Sequence, residues 1–366
     1  MVRFPVHISC RSAVMLSLCA AVCILVSFHG CYGYARNGYL QHSSYQDSTH
    51  HVLVMFWNLE NFFDWRDGGY SASDNEFSSY GQRHWTKGRF YAKCDAVAKS
   101  LMWTEGEYGR IPDVIGVAEV ENRLVLEALL GSTSLRKYGY AIVHHDSPDS
   151  RGIDVALLYR KDVFSLAGER PVKVSGTPAF STRDILYVCL EPAAGGRPVH
   201  FLVNHHPSKY GGEEVSVPRR RVAVETMLSV CDSVYRTGPG PHDIICMGDF
   251  NDTPDNPLLD FGDGHPGSGD LVNMAVHLSE RGEGTIRYQG RREMIDMFIV
   301  SPGVASRSEM EVLHIPFLTV PDNAHPGDKP FRTYSGPAYI GGVSDHCPIL
   351  LKIKVVLSDD IGIFGR

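Results

Sequence analysis

The stretch Asp243-Ile244-Ile245-Cys246-Met247-Gly248-Asp249-Phe250-Asn251-Asp252 decides how the chain is read. Its first five residues have the length and apolar content of a buried strand. A carboxylate set against a core is costly unless paired or metal-bound, so Asp249 at the end of that run needs a partner. The arrangement recurs outward in both directions. Residues 51–57 (HVLVMFW) run into Asn58, 114–118 into Glu119, and 199–203 into Asn204-His205-His206. Asp296 follows Ile295 in an apolar stretch reaching Val300, and Asp345-His346 stand just before the run 348–356. Polar residues repeated at strand ends predict that those ends converge on one site.

Two more strands are predicted over 153–159 and 185–190, with 172–181 turn-rich between them. Phe90, Cys94, Val97 and Leu101 recur at helical spacing over 89–103, the signature of an amphipathic helix. Residues 122–130 look helical. A third helix is expected from about Pro218 to Tyr235, proline being suited to a first turn. Segment 64–88, rich in Gly, Ser, Asp and Asn, predicts a surface loop, and 252–292 is loop-dominated. With no internal repeat, roughly nine strands and three helices predict an α/β protein of mixed sheets packed face to face beneath helices.

The chain has 366 residues, 43% hydrophobic and 21% charged, ordinary globular usage. It reads as one catalytic domain over 51–357, preceded by a linker over 36–50 and followed by a tail over 358–366. A formal net charge of -7 does not advertise nucleic-acid binding, which usually comes with a basic domain. It does not exclude it, since a local basic groove is enough to steer a phosphate.

Arg3 and Arg11 precede the apolar stretch 13–28 (AVMLSLCAAVCILVSF), the layout of an export signal over 1–35. A periplasmic, outer-surface or secreted location is therefore expected. Gly33-Tyr34-Ala35 offers a small-x-small cleavage site. His29-Gly30-Cys31 offers a competing lipid anchor at Cys31, although Phe28 and His29 depart from a good lipobox. An uncleaved anchor is disfavoured because a span needs ~20 apolar residues. Cys94, Cys189, Cys231, Cys246 and Cys347 follow the leader without CxxC spacing. They allow one disulfide and argue against a thiol zinc site. Cys189, Cys246 and Cys347 lie in apolar surroundings and read as core packing.

Asn58 and Glu119, an amide and a carboxylate at strand ends, suit a hard cation such as Mg²⁺, with Mn²⁺ or Ca²⁺ as substitutes. A surface acid is the competing reading of Glu119. In an extended segment, i and i+2 point the same way, which places Asp249 as a general base beside the Asn251 amide. The base activates water, and the amide holds that water or a phosphate oxygen. A plain turn is the alternative for this pair. His205 donates to a phosphate oxygen or serves as acid, while alternation turns His206 to the opposite face. Asp296 needs a partner, and His346 is the candidate; such a pairing fixes the tautomer and raises basicity. Asp345 reaches toward the metal. Arg183, at the start of a strand, is a fork donor for phosphate or else a strand-edge charge. Lys209 and Arg219 to Arg221 form a cationic rim for a polyanion, or a solvated helix face.

Taken in order, the segments Phe56-Trp57-Asn58-Leu59-Glu60-Asn61, Val117-Ala118-Glu119-Val120, Val155-Ala156-Leu157-Leu158-Tyr159-Arg160, Asn204-His205-His206-Pro207-Ser208, Gly248-Asp249-Phe250-Asn251-Asp252, Ile295-Asp296-Met297-Phe298 and Ser344-Asp345-His346-Cys347-Pro348 resemble the exonuclease–endonuclease–phosphatase superfamily, to which deoxyribonuclease I belongs. The likeness spans about 51–356 and is nearest in detail to exported bacterial members. It implies a four-layered α/β sandwich with the site at one edge of two sheets. It also implies metal-dependent hydrolysis of a phosphate ester. By the same resemblance Asn58, Glu119 and Asp345 fall at metal-side positions. Asp249 and Asn251 match the water-activating and phosphate-binding pair, His205 and His346 the phosphate-facing histidines, Asp296 the carboxylate orienting His346, and Arg183 a phosphate-contacting arginine. One departure stands out: related nucleases often carry a tyrosine where this chain reads Arg151-Gly152-Ile153-Asp154.

The sequence therefore predicts an exported, monomeric phosphodiesterase or nuclease with no stable protein partner. A phosphomonoesterase or lipid-headgroup esterase of the sphingomyelin or inositol-phosphate kind is the first alternative. A surface binding protein with a degenerate site is the second.

Overall fold

In a computed structural model, residues 51–355 are described, apart from 70, 177–179, 210, 239–240 and 262–270. The expected export signal, Cys31, the linker and the tail lie outside the described residues. Among the described residues no helix is long and apolar enough to cross a membrane.

Twelve strands build two sheets. In chain order they are β1 (His51–Phe62), β2 (Val114–Val120), β3 (Tyr140–His144), β4 (Asp154–Arg160), β5 (Phe164–Val172), β6 (Ile185–Pro192), β7 (Val199–His205), β8 (Asp243–Asp249), β9 (Val272–Asn273), β10 (Asp296–Val300), β11 (Ser308–Val312) and β12 (Ile349–Lys354). One sheet runs β11-β12-β1-β2-β4-β3 and the other β5-β6-β7-β8-β10-β9. β1 lies parallel to β2 in the first and β7 parallel to β8 in the second. The neighbours flanking these pairs are antiparallel. Parallel strands bring their C-terminal ends together, and ligands in α/β sheets gather there. Three main helices, α1 (Lys87–Tyr108), α2 (Arg123–Ser132) and α3 (Glu213–Tyr235), complete the layers.

The two-residue period of β1 explains how the layers form. Val54 and Phe56 join Phe201, Met247 and Phe298 in the core between the sheets. Leu53, Met55, Trp57 and Leu59 join Phe90, Cys94, Val97 and Leu101 of α1 and Val125, Leu126 and Leu129 of α2. Each fully buried side chain of this size contributes about 1.5–3 kcal/mol. Asn58 continues the inward series after Val54 and Phe56, so its amide emerges between the sheets. Gly116 allows close sheet contact, since a Cβ there would come within 2.8 Å of Met247 Cε. Sequence-local signals set the helix ends. Thr86 Oγ1 and Asn122 Oδ1 accept backbone N–H groups at the starts of α1 and α2, and Gly109 ends α1 at φ 72°.

The structure departs from the sequence expectation in several places. β3, β5 and β11 were not anticipated. β5 is an edge strand with an exposed middle, so it lacks the apolar run that marks a buried strand. α3 starts at Glu213, and Pro218 sits inside it rather than in its first turn. Gly211 and Gly212, at φ 88° and 90°, set the break earlier. Segment 64–88 is no simple surface loop. It carries a short helix, Ala72–Glu76, and buries Phe77 and Trp85, whose indole donates to Phe63 O. Segment 252–292 contributes β9 and the hairpin Ile286–Tyr288/Arg291–Glu293.

Candidate active site

Register places the reactive groups. Asp249 ends β8, with His205 level with it on β7 and Asp296 level with it on β10. His205 Nε2 lies 3.6 Å from Asp249 Oδ2 and 4.0 Å from Glu119 Oε1. Asn58 crosses from the other sheet, its Nδ2 donating to Asp249 Oδ2 at 3.1 Å. His346 Nδ1 meets Asp296 Oδ2 at 2.7 Å, while its Nε2 lies 3.9 Å from Asp249 Oδ2. Backbone contacts fix the ring: Trp57 Nε1 donates to His346 O, and His346 N donates to Ser344 Oγ, which itself donates to Asn58 O. One strand end thus holds the loop that delivers His346.

The electrostatics follow from this crowding. Burial, then the facing Asp296 carboxylate, push Asp249 up to about 7. Burial opposes charge on His346, but Asp296 outweighs it and holds the imidazole well above its ordinary range. His205 goes the other way: burial, then Arg183, hold it well below its usual value. Burial also opposes ionisation of Glu119, yet Arg151 and the Asn61 N–H prevail and keep its carboxyl low. The site therefore sets a carboxyl raised toward neutrality beside one imidazole driven toward its cation and one driven toward its neutral form.

Four left-handed, non-glycine residues sit here: Glu60, Asn61, Glu119 and Asn251, at φ 47°, 50°, 61° and 51°. Such conformations cost about 1–3 kcal/mol each and persist where surroundings over-determine them. The Glu60–Asn61 turn has such surroundings. Glu119 Oε2 accepts Asn61 N at 2.7 Å, Glu60 Oε2 accepts Thr333 N at 2.6 Å, and Lys93 Nζ of α1 donates to Glu60 O at 2.6 Å.

Asn58, Glu119, His205, Asp249, Asn251, Asp296, Asp345 and His346 all line or adjoin this cleft. Asn251 reaches it differently from the extended reading. Its N–H donates to Asp249 Oδ1 and its Nδ2 to His206 O, the turn alternative. His206 does turn away, against the Phe250 ring. Arg183 sends Nε and Nη2 to the carbonyls of His205 and His206 and Nη1 to Asp149, holding the β7 end from behind. Asp345 is half-buried, with Oδ2 on Arg332 Nη2 at 2.7 Å and Oδ1 3.9 Å from His346 Nε2. Lys93, Glu60, Arg332 and Thr333 escaped the sequence reading. Lys93 had a signal: it stands three residues after Phe90, on the apolar stripe of α1.

The donor set fits a hard divalent cation. Glu119 Oε1 and the Asn58 and Asp345 oxygens are oxygen ligands of the kind Mg²⁺ takes. Asp249 and Glu60, both pushed up to about 7 by burial and a nearby carboxylate, show an excess of negative charge that a dication would offset. Atoms of Asp249, Asp296 and His346 also cluster closely enough to share an ion. The cationic tendency of His346 disfavours that grouping.

The sequence pattern of the Endonuclease/Exonuclease/phosphatase family matches residues 53–355, and the chain belongs to that family. Its members are metal-dependent hydrolases of phosphate esters. No curated protein sequence matches. Among solved structures, a family protein from Bacteroides thetaiotaomicron is 17% identical, covering 84% of this chain and 99% of its own, with a TM-score of 0.53. A mannosyl-6-phosphatase from the same organism is 17% identical, with 83% and 100% covered and a TM-score of 0.52. The human Nocturnin catalytic domain is 16% identical, with 84% and 95% covered and a TM-score of 0.50. At these identities the likeness shows the fold.

Proposed function

We propose that this chain is an exported phosphoesterase in which Asp249 activates the attacking water. The observation that carries the reading is the row His205, Asp249 and Asp296 at one level of the second sheet, capped by His346 and met by Asn58 from the first. Glu119, Asn58 and Asp345 would hold a divalent cation, which neutralises phosphate charge and stabilises the leaving oxygen when bound. Asp249 takes the proton of the water. His346, kept cationic by Asp296, and His205 donate to the non-bridging oxygens, preorganised where charge builds. Asn58 holds Asp249 in place. The apolar leader supports export.

A nuclease is the reading the sequence puts first, from the motif order, and Lys209 with Arg219 to Arg221 is its candidate cationic rim, weighed against a solvated helix face. Arg220 is instead turned inward onto Asp252, Lys209 Nζ lies 3.8 Å from the same acid, and Arg219 lies over the Phe180 ring. This favours compact phosphate esters over long polynucleotides. The test is hydrolysis of plasmid DNA, RNA, sphingomyelin, inositol phosphates and sugar phosphates with Mg²⁺, comparing wild type with Asp249→Ala and His346→Ala. Turnover by wild type that both variants lose, with unchanged circular dichroism, supports the assignment. Wild-type rates in either variant overturn it.

A further inference from the structure

We infer that Arg151 and Arg332 form a two-armed clamp that selects a terminal phosphate dianion, as in a phosphomonoester, over an internal phosphodiester. This rests on the phosphoesterase reading for the position of the scissile phosphate. The two guanidinium groups flank the Glu60–Asn61 turn. Arg151 Nη2 lies 3.3 Å from Glu119 Oε2 and also donates to Asn61 Oδ1. Arg332 Nε lies 3.4 Å from Glu60 Oε1, and its Nη2 donates to Asp345. Both reach the side of the cleft assigned to the metal, yet both stay open: their side chains are 41% and 50% exposed.

The loop under each arm is built. Asp149 Oδ1 accepts Arg151 N at 2.9 Å, Asp149 O accepts Gly152 N at 3.0 Å, and Asp149 Oδ2 binds the buried Arg183. Next to Arg332, Thr333 N and Oγ1 are held by Glu60 and Lys93. Asp149 thus ties the Arg151 loop to the residue that braces His205, and Glu60 ties the Arg332 loop to β1. Both arms stand in fixed relation to the reacting centre.

The chemistry decides the ligand. A guanidinium offers a planar fork that matches two oxygens of one phosphate. A monoester dianion presents three non-bridging oxygens and one more charge than a diester, so it can engage the histidines and both forks at once. An internal diester spends a second oxygen on its other ester bond. A polynucleotide would instead call for a series of phosphate contacts along the chain, and the opposite rim turns Arg220 inward. Hydrolysis of the monoester joins the water oxygen to phosphorus and breaks the ester P–O bond. The water proton passes to Asp249, the alcohol oxygen takes a proton from solvent, and inorganic phosphate remains between the arms.

The experiment uses the Mg²⁺-loaded protein with Arg151→Gln, Arg332→Gln and the two corresponding Lys variants, each checked by thermal melting. Calorimetry compares inorganic phosphate with dimethyl phosphate, and kcat/KM compares p-nitrophenyl phosphate with its bis ester. Wild type should bind inorganic phosphate at least about tenfold more tightly than dimethyl phosphate, and each Gln variant should lose most of that preference. Monoester kcat/KM should fall about tenfold more than diester kcat/KM, any loss common to both esters reporting the arginine contacts to Glu119 and Asp345, with Lys rescuing only in part. Equal losses on both ligands, or no dianion preference in wild type, overturn the clamp. If neither ester turns over but the arginine-dependent phosphate preference remains, the hydrolase reading fails and the clamp stands. Turnover without preference gives the reverse. Should a Gln variant fail to melt cooperatively, the Lys variant at that position carries the comparison.

Discussion

Lys93 Nζ lies 2.6 Å from the Glu60 carbonyl and 2.9 Å from Thr333 Oγ1. A buried ammonium of α1 thus fastens the end of β1 to the loop that carries Arg332. Burial draws it down to about 8, against the pull of Glu60, Glu119 and Asp345. Lys93→Met removes the cation and leaves Glu60 buried beside Asp345. The Glu60 carbonyl and the Thr333 hydroxyl lose their buried donor, and leaving such a group unsatisfied costs about 1–3 kcal/mol. We expect a loss of that order in urea unfolding, with activity reduced even in the fraction that remains folded.

Asp249 is destabilising where it stands. Its carboxyl is pushed up to about 7 from 3.8, so the stability it offers when protonated is complete below 3.8 and is lost as pH rises through about 7. Asp249→Asn keeps the shape and removes the repulsion with Asp296. We expect its Tm to exceed that of wild type at pH 8 and to match it near pH 4, while hydrolysis falls by about 10²–10⁴.

Under the proposed mechanism the same group sets the acid limb of activity. A base at about 7 is protonated below that pH and cannot accept from water. Rates should decline as pH falls through 7 at limiting Mg²⁺. The midpoint should move lower as the cation saturates, because positive charge favours the carboxylate. A pH–rate profile at several Mg²⁺ concentrations checks both statements.

Glu121, just beyond the end of β2, offers a second raised acid with no part in the proposed reaction. Burial, together with Asp64 and Asp74, raises it from 4.5 to about 8, although it accepts the Asp64 N–H at 2.7 Å. Its contribution is fully present below 4.5 and is lost as pH rises through about 8. Glu121→Gln should equal wild type at pH 4.5 and exceed it by about 1–3 kcal/mol at pH 9. Denaturant titrations at the two pH values measure the difference.

Cys94, Cys189, Cys231, Cys246 and Cys347 are free thiols, and Cys231 Sγ lies 3.6 Å from Cys246 Sγ. Burial pushes Cys94 and Cys347 up to about 12. The thiolate is the reactive form. Ellman's reagent should therefore leave Cys94, Cys231, Cys246 and Cys347 unlabelled in the native protein and react with all of them in guanidinium.

Central strands were legible because burial on both faces writes an uninterrupted apolar run, and the residue ending each run reported the site. Asn58, Glu119, His205, Asp249 and Asp296 came from that logic. Edge strands such as β5 leave no such trace, because their side chains face water. The turn at Asn251 was also ambiguous: Gly-Asp-Phe-Asn-Asp suits both an extended end and a left-handed turn, and only the acceptor His206 O decides between them. Lys93, Glu60 and Arg332 meet through folding, across sequence separations that no spacing rule spans.

Because each sheet supplies part of the cleft, catalysis doubles as a reporter of sheet docking. A partly unfolded species that keeps one sheet intact retains secondary structure but loses Asn58 from Asp249, or Glu119 from His205. Enzymatic inactivation should thus coincide with rupture of the interface between layers and precede the disappearance of far-ultraviolet ellipticity.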